Sequence, residues 1–521
     1  MARDLARPLV RGLHAAGVRK MFGMPGGGPN LDMIGCAEEA GIDFVLAHGE
    51  TAACIMAGTY GRLTRTPGVA VVTRGPGMTS AANGLAQATL DRSPLLLISD
   101  SVSEADAGRV AHQRLDQVEA AAPLTKWSGR LGARDAEGVA YAAATLAATA
   151  PAGAVHLAFD PTVGGDPAPE SPATPATDPA AFARARQQCA KAEHPVVVVG
   201  LDAARHAPSV RDALASLDCP ILVTYEAKGT IPESWPSYAG LFTGAAIERP
   251  LLEQADLILA VGLDPVEPVP GPWTYAAPMV MLHSHPVETA YFGRPHLVVG
   301  CYARDLPVLA DSCRPVWPPD TAREAHERGL AMLEFATEGL SPHDVVRTTA
   351  KTLGGAVLTV DAGAHMLVAM PLWETDEADS VLISNGLATM GFSLPAAIGA
   401  ALARPGRRVV CLTGDGGLGM VLAELETLAR LRLDITVVVL NDQALSLIRL
   451  KQKHAQGGDG AVAYGTMDFA GIAIAMGVPG TVVHDTEGLR RTLADLHPGP
   501  ALVDARIDPS GYPHVLRVSR G

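Results

Sequence analysis

Short apolar runs alternate with small-residue helical stretches through the first third of the chain. DFVLAH (43–48), GVAVVT (68–73) and PLLLIS (94–99) read as buried strands. ETAACIMAGTYGRLT (50–64) and SAANGLAQATLD (80–91) read as the helices between them, with GPG (75–77) as a turn. Strand, helix, strand at this spacing predicts right-handed βαβ units and a parallel sheet. The pattern lapses over GGDPAPESPATPATDPA (164–180), which is rich in Pro, Ala and acids and marks a domain boundary. It restarts with HPVVVVGLDAARHA (194–207) and DLILAVGLDPVEP (256–268). A second boundary falls around 313–342, where CRPVWPPD is followed by a charged helical stretch running on to SPHD; the EAHER run within it reads as a solvated helix face.

The last third repeats the layout of the first. AVLTVDAG (356–363), VLISNG (381–386), RRVVCLTGDGG (407–417) and DITVVVLND (434–442) read as strands, with helices in GFSLPAAIGAALA and MVLAELETLARL. The expected fold class is α/β, with three domains over 1–165, 185–315 and 340–521, each a central parallel sheet flanked by helices. The length of 521 residues agrees, because about 150 residues per domain predicts three to four.

Composition excludes several classes. Only 18% of residues are charged and 48% are apolar, which rules out a disordered chain or a coiled coil. Forty-one basic and 55 acidic side chains give a net charge of −14, which repels nucleic acid and anionic lipid. Neither is an expected partner. Seven scattered cysteines, odd in number and without a C-x-x-C pair, argue against a disulfide framework or a zinc site and for a reducing cytoplasm. The start MARDLARPLVRGL has no apolar core of a signal peptide. The uncharged stretch 381–403 is long enough to span a bilayer. Its Ser, Asn, Gly and Pro residues make it a strand, loop and helix instead. His283 and His285 flank a strand end and read as structural.

The chemistry concentrates in LTGDGGLGMVLAELETLARLRLDITVVVLNDQALSL. A strand ends at Thr413, Gly414, Asp415, Gly416 and Gly417 form a tight loop, and a helix begins near Met420. Glycines admit a ligand close to the backbone, and a helix N-terminus offers free N–H groups to an anion. The loop lacks the GK[ST] of a P-loop and the G-x-G-x-x-G of a dinucleotide site. An acid inside a phosphate loop repels its ligand unless a cation lies between them. A hard ion such as Mg²⁺ takes carboxylate, carbonyl and phosphate oxygens. Asp442, after the next strand, is placed to supply a second oxygen.

GDG, a helix, a strand and then Asn-Asp resembles the thiamine diphosphate-binding motif. The rest of the chain resembles the group of acetolactate synthase, pyruvate oxidase and benzoylformate decarboxylase, in the order FGMPGG, HGETAACIMAGTYGR, TRGPGMTSAANGLAQA, EAKGTIPE, DLILAVG, VDAGAHM and NGLATMGFSLPAAIGA. The resemblance implies a pyrimidine-binding first domain, a Rossmann-like middle domain and a diphosphate-binding last domain. It places Glu50 at N1′ of the aminopyrimidine, where it promotes the imino tautomer that generates the thiazolium ylid, and where burial is expected to raise its pKa. Met390 aligns with the apolar wedge that bends the cofactor. Asp415, Asp442 and the carbonyl of Ala444 align with the metal ligands. Gly363, Ala364 and His365 align with a loop on the diphosphate, joined by Gly414, Gly416 and Gly417. Pro25 and Gly26 align with cofactor contacts, and Gly27, His112 and Gln113 with the substrate pocket. Without this context Glu50 is a helix-start acid, Met390 a core filler and Asp415 a turn residue.

Most of the family has Asn where Asp442 stands; a minority, including catabolic acetolactate synthases, has Asp. LSLIRLKQ (445–452) also resembles a stretch of the catabolic enzymes, one residue out of register, and no substrate contact is assigned there. The resemblance implies attack on a 2-oxo acid, loss of CO₂ and transfer of the enamine to a second carbonyl, in a cytoplasmic dimer or homotetramer whose sites lie between chains. The alternatives are a 2-oxo acid decarboxylase that does not ligate, a catalytically silent cofactor-binding relative, and a plain nucleotide-binding Rossmann protein. Some relatives carry FAD in the middle domain; no local motif here supports it.

Overall fold

The computed structural model describes the chain except residues 1, 104, 105, 107, 161–164, 174, 269, 270, 457–459 and 521 and the side chains of 2 and 453–456. Among the described residues, eighteen strands form three six-stranded sheets in which every registered pair is parallel. The first contains β1 (Lys20–Met24), β2 (Asp43–Leu46), β3 (Gly68–Val72), β4 (Leu95–Asp100), β5 (Trp127–Leu131) and β6 (Ala154–Phe159), ordered β2-β1-β3-β4-β6-β5. The second contains β7 (Pro195–Val199), β8 (Ile221–Val223), β9 (Tyr238–Leu241), β10 (Leu257–Val261), β11 (Met279–His283) and β12 (His296–Val299), ordered β12-β11-β10-β7-β8-β9. This is the doubly wound order, reversing direction between β7 and β10. The third contains β13 (Val357–Val360), β14 (Val381–Leu382), β15 (Val409–Gly414), β16 (Ile435–Asn441), β17 (Gly480–Val483) and β18 (Ala501–Arg506), ordered β14-β13-β15-β16-β18-β17. The first and third sheets thus share one strand order, as the repeated apolar pattern predicts.

Central strands are buried on both faces, as parallel sheets require; every residue of β3, β7, β10 and β16 is buried. The helix Glu50–Thr64 is buried all round from Ala52 to Arg62, which explains why its sequence shows no clean amphipathic stripe. It packs on the helix Ser393–Ala403 of the last domain. A Cβ on Gly399 would lie 2.5 Å from the Met56 carbonyl oxygen, so only glycine permits this approach. One apolar core runs from the first sheet through these helices into the third.

The structure moves three element boundaries. The helix expected near Met420 begins at Asp415 and ends at Met420, and a second helix spans Glu424–Arg430. Glycines 416, 417 and 419 carry little helical propensity, which keeps the first piece short. The helix placed from Ser80 starts at Pro76, directly after Gly75 at φ 65°, with Pro at the first helical position where its missing N–H costs nothing. The strand expected over 381–386 is only Val381–Leu382. Beyond it the backbone turns to other partners: Gly386 N–H donates to Asp91 Oδ1 at 2.7 Å, and Asn385 Nδ2 to the Glu267 carbonyl at 2.9 Å. Among the described residues no helix is long and apolar enough to cross a membrane.

Arg62 joins the three units. Its Nη1 donates to Glu226 Oε2 of the middle segment at 2.9 Å, and its Nε to Asp379 Oδ1 of the last at 2.9 Å. All three side chains are buried. Burial opposes the Arg62 charge, and Asp379 and Glu226 more than reverse that. Removing one partner of a buried pair strands the other, at a cost of about 3–5 kcal/mol. Arg62→Met is therefore expected to lower unfolding stability by about 3–5 kcal/mol, read as a shift in the urea midpoint; a shift near zero would show that the triad does not hold the units together.

Candidate active site

β15 and β16 are hydrogen-bonded neighbours, and their carboxyl ends deliver Asp415 and Asp442 to one place. A cavity of about 240 Å³ opens there. Gly363, Ala364, His365, Met390, Gly414, Asp415, Gly416, Gly417, Asp442 and Ala444 all line it. Ten residues assigned by sequence from four separate segments thus meet in one concavity.

Its shape depends on missing Cβ atoms. A Cβ on Gly417 would lie 2.1 Å from Asp361 Oδ2, and one on Gly416 would lie 2.8 Å from Leu445 Cδ2. Asp361, which no sequence argument had given a role, clasps the cradle. Its carboxylate accepts from the N–H of Gly391 (3.0 Å), Phe392 (3.1 Å) and Ala362 (3.0 Å) and from Thr413 Oγ1 (3.0 Å). It thereby ties the end of β13 to the loop carrying Met390 and to the end of β15. Burial pushes its pKa up to about 6 against these donors.

The electrostatics call for a cation. Asp415 accepts from Gly416 N at 2.8 Å and from Ala444 N at 3.1 Å, which fixes the carboxylate against the backbone of Ala444. Burial, followed by the charge of Asp442, pushes Asp415 up to about 6. Burial also raises Asp442, whose carboxylate takes a short hydrogen bond from the Ser446 hydroxyl. A buried acid raised further by a second buried acid beside it, at glycine-lined strand ends, is what a hard divalent ion would satisfy. The cavity also holds an unused polar atom. His365 Nε2 is buried without a hydrogen-bond partner, and burial pushes the imidazole down to about 4. A diphosphate oxygen would give it one. The residues present therefore fit both the metal and the diphosphate.

The remaining sequence-assigned residues are not in this cavity. Glu50 is half-buried at the first residue of the helix Glu50–Thr64, where a Cβ on Gly77 would lie 3.5 Å from its Oε1. Pro25 and Gly26 are half-buried and Gly27 exposed; Gly26 N–H donates to Asn30 Oδ1 at 3.3 Å. His112 and Gln113 are exposed, with Gln113 at φ 57° against Gly75. These residues cluster instead around the carboxyl ends of the first sheet. Two further residues there carry no obvious sequence signal. Gln117 is buried and donates to the Asp100 carbonyl at 2.6 Å while accepting from Gly75 N–H at 2.7 Å. Asp100 is buried beside Gly28, with Oδ1 unpartnered, and burial pushes it up to about 7 against the pull of Arg74. The sequence-assigned residues therefore fall in two separate clusters on one chain.

Comparison with known proteins agrees with the geometry. Residues 3–120, 182–304 and 361–505 match the N-terminal TPP binding domain, the central domain and the C-terminal TPP binding domain of thiamine pyrophosphate enzymes. The chain is 32% identical over 536 residues to the catabolic acetolactate synthase of Raoultella terrigena, covering 96% of this chain and 94% of that one. It is 29% identical to the acetolactate synthase of Bacillus subtilis (strain 168), covering 96% and 93%. It is 27% identical to the acetolactate synthase isozyme 1 large subunit of Escherichia coli (strain K12), covering 96% and 93%. The chain belongs to the acetolactate synthase family of thiamine diphosphate enzymes.

Three outcomes are expected if this cavity receives the diphosphate and its cation. A proton on Asp415 would compete with the cation, so Mg²⁺ affinity is expected to be full above about pH 6 and to fall as pH drops through that value. Isothermal titration at pH 7.5 and pH 5 should show a loss of about tenfold per unit below the transition; a flat profile would remove Asp415 from the metal. Chelation should release thiamine diphosphate, and a chelated protein that still retains it tightly would contradict the roles of both acids. Gly417→Ala, by colliding with Asp361, should abolish cofactor binding in the same titration.

Proposed function

We propose that this protein is a thiamine diphosphate- and Mg²⁺-dependent carboligase that joins two small 2-oxo acids, or a 2-oxo acid and another carbonyl acceptor, with loss of CO₂. The observation that carries this reading is the pair Asp415 and Asp442 at adjacent strand ends, within a cradle that glycine alone can form. Bound thiamine diphosphate would supply a nucleophilic carbon that adds to the 2-oxo group and accepts the electron pair as CO₂ departs. In this reading Asp415, Asp442 and the Ala444 carbonyl hold Mg²⁺. Gly363, Ala364, His365, Gly414, Gly416 and Gly417 receive the diphosphate. Met390 supports the cofactor's apolar middle. The second carboxylate at Asp442 adds charge that the cation offsets.

Glu50 acts on the aminopyrimidine, exchanging a proton at its N1′. The distribution of residues supports supply of Glu50 by a second chain: the diphosphate cradle of one chain lies apart from its own Glu50, Pro25 and Gly26. A dimer, or a tetramer built of such dimers, then completes each site. Gly27, His112 and Gln113 lie on the substrate side of the same half-site. Asp100 and Arg74 bring charge to that side. We take units 1–165, 185–315 and 340–521 as the working division of the chain, with sheets lying inside each, and the cytoplasm as its place, in keeping with its free cysteines. FAD is not part of the proposal.

Incubation with pyruvate alone, and with 2-oxobutyrate, followed by product analysis, tests the reaction. The expected products are one acetohydroxy acid for each CO₂; aldehyde formed in step with CO₂ would replace ligation by simple decarboxylation. Glu50→Gln should lower kcat by about 10²–10⁴ while cofactor and Mg²⁺ binding persist. Mixing Glu50→Gln chains with Asp415→Asn chains should restore activity through hybrid dimers. No recovery after subunit exchange would overturn a site shared between chains.

A further inference from the structure

A second cluster of ligating side chains lies in the middle domain, at the carboxyl ends of β7 and β11. Asp202 follows β7, His283 ends β11, and His285 comes two residues later. The three present one ligand atom each, all within 4.8 Å of one another, and all three residues are buried. Nδ1 of His283 lies 3.3 Å from Asp202 Oδ2, and Nδ1 of His285 lies 3.6 Å from Asp202 Oδ1. The rings meet edge to face, with centroids 4.4 Å apart and planes at 89°. Glycines bring the strand ends this close: a Cβ on Gly262 would lie 2.4 Å from Ala203 N, next to Asp202.

An independent anomaly marks the cluster. His283 has 0% exposure, and neither ring nitrogen makes a hydrogen bond of good geometry, with Asp202 and the His285 backbone as polar neighbours. A buried imidazole with both nitrogens unused is costly and calls for a ligand. Its Nδ1 faces a carboxylate oxygen yet makes no hydrogen bond to it. A cation between them would satisfy both atoms. The carboxylate is already oriented for this. Asp202 Oδ2 accepts from Ser284 N–H at 2.9 Å and from the Tyr302 hydroxyl, and Oδ1 from Ser284 Oγ at 2.8 Å. Hydrogen bonds of this kind hold metal-binding carboxylates in place.

We propose that Asp202, His283 and His285 form a divalent transition-metal site, distinct from the Mg²⁺ site at Asp415 and Asp442, that staples β7 to β11. Two imidazoles and one carboxylate suit Zn²⁺, Co²⁺ or Ni²⁺ and not Mg²⁺, which takes oxygen ligands. Cysteine spacing excludes thiolate zinc sites only and says nothing about this one. A narrow cavity of about 20 Å³ reaches Asp202 and His285, enough for one water as a fourth ligand to the ion. Three arginines also line it. Arg92 is held by Asp264 at 2.8 Å and 3.0 Å, and Arg62 by Glu226 and Asp379, so two of the three positive charges are offset locally.

The test uses the full chain loaded with thiamine diphosphate and saturating Mg²⁺, titrated with Co²⁺ and followed by visible absorption and by elemental analysis after gel filtration. One Co²⁺ per chain is expected, with the intense visible band of a four-coordinate site containing nitrogen. His285→Gln should weaken that binding more than about tenfold, and Asp415→Asn should leave it unchanged. Zn²⁺ should displace the band and excess Mg²⁺ should not. Failure of the wild-type protein to retain Co²⁺, equal retention by His285→Gln, or loss of the band in Asp415→Asn would overturn the site. Because the wild-type titration is decisive alone, a variant that fails to fold does not shield the proposal. The result is independent of the carboligase reading, which is tested by products.

Discussion

The glycine-lined cradle depends on the carboxylate of Asp361. It sits where β13 ends and accepts hydrogen bonds from backbone N–H groups of its own turn and of the Met390 loop, and from the Thr413 hydroxyl at the end of β15. Its Oδ2 also lies where a Cβ at position 417 would stand. A charge-assisted hydrogen bond is roughly twice as strong as a neutral one, and four converging on one buried group fix their donors relative to each other. The glycines make room for the ligand, and Asp361 keeps that room in shape. Asp415 can then be presented to a cation from a helix whose glycines alone would not hold it.

The net charge of −14 is at odds with a polyanionic cofactor only while charge is treated as a global quantity. Exposed charges beyond about 10 Å are screened, whereas buried ones are not. In the proposed site the chain would meet a diphosphate with backbone N–H groups, a buried imidazole and two acids that hold a cation. Burial and the neighbouring Asp442 raise Asp415, which an ion would offset. Metal and cofactor binding would then be coupled by the charges themselves.

Much of this was legible in the sequence because it is local. Parallel strands announce themselves as β-branched runs, and GDG followed by a strand and Asn-Asp places two acids on neighbouring strand ends by topology alone. The glycine loop's neighbours were recovered for the same reason. What escaped was either long-range or silent. Arg62 meets Glu226 and Asp379 across three domains, and nothing near it in the chain distinguishes it from a surface arginine. Asp361 and Asp100 look like ordinary strand-end acids until burial is known. The helix starting at Asp415 was misplaced because glycines argue against a helix unless packing compensates. The separation of Glu50 from the cradle has no signature in the residues themselves, since both clusters carry their motifs intact; it was expected only because the family resemblance implies sites between chains.

The Arg62 triad also limits how the molecule can move. A hinge between any two of the three units would have to pull a guanidinium away from a carboxylate with no water to replace it. Rotation of whole domains is thus an expensive way to admit a substrate or release a product. Opening falls instead to side chains and short loops around a stiff frame. In the proposed shared site the geometry would then be set by how the chains dock, and not by flexing within each one.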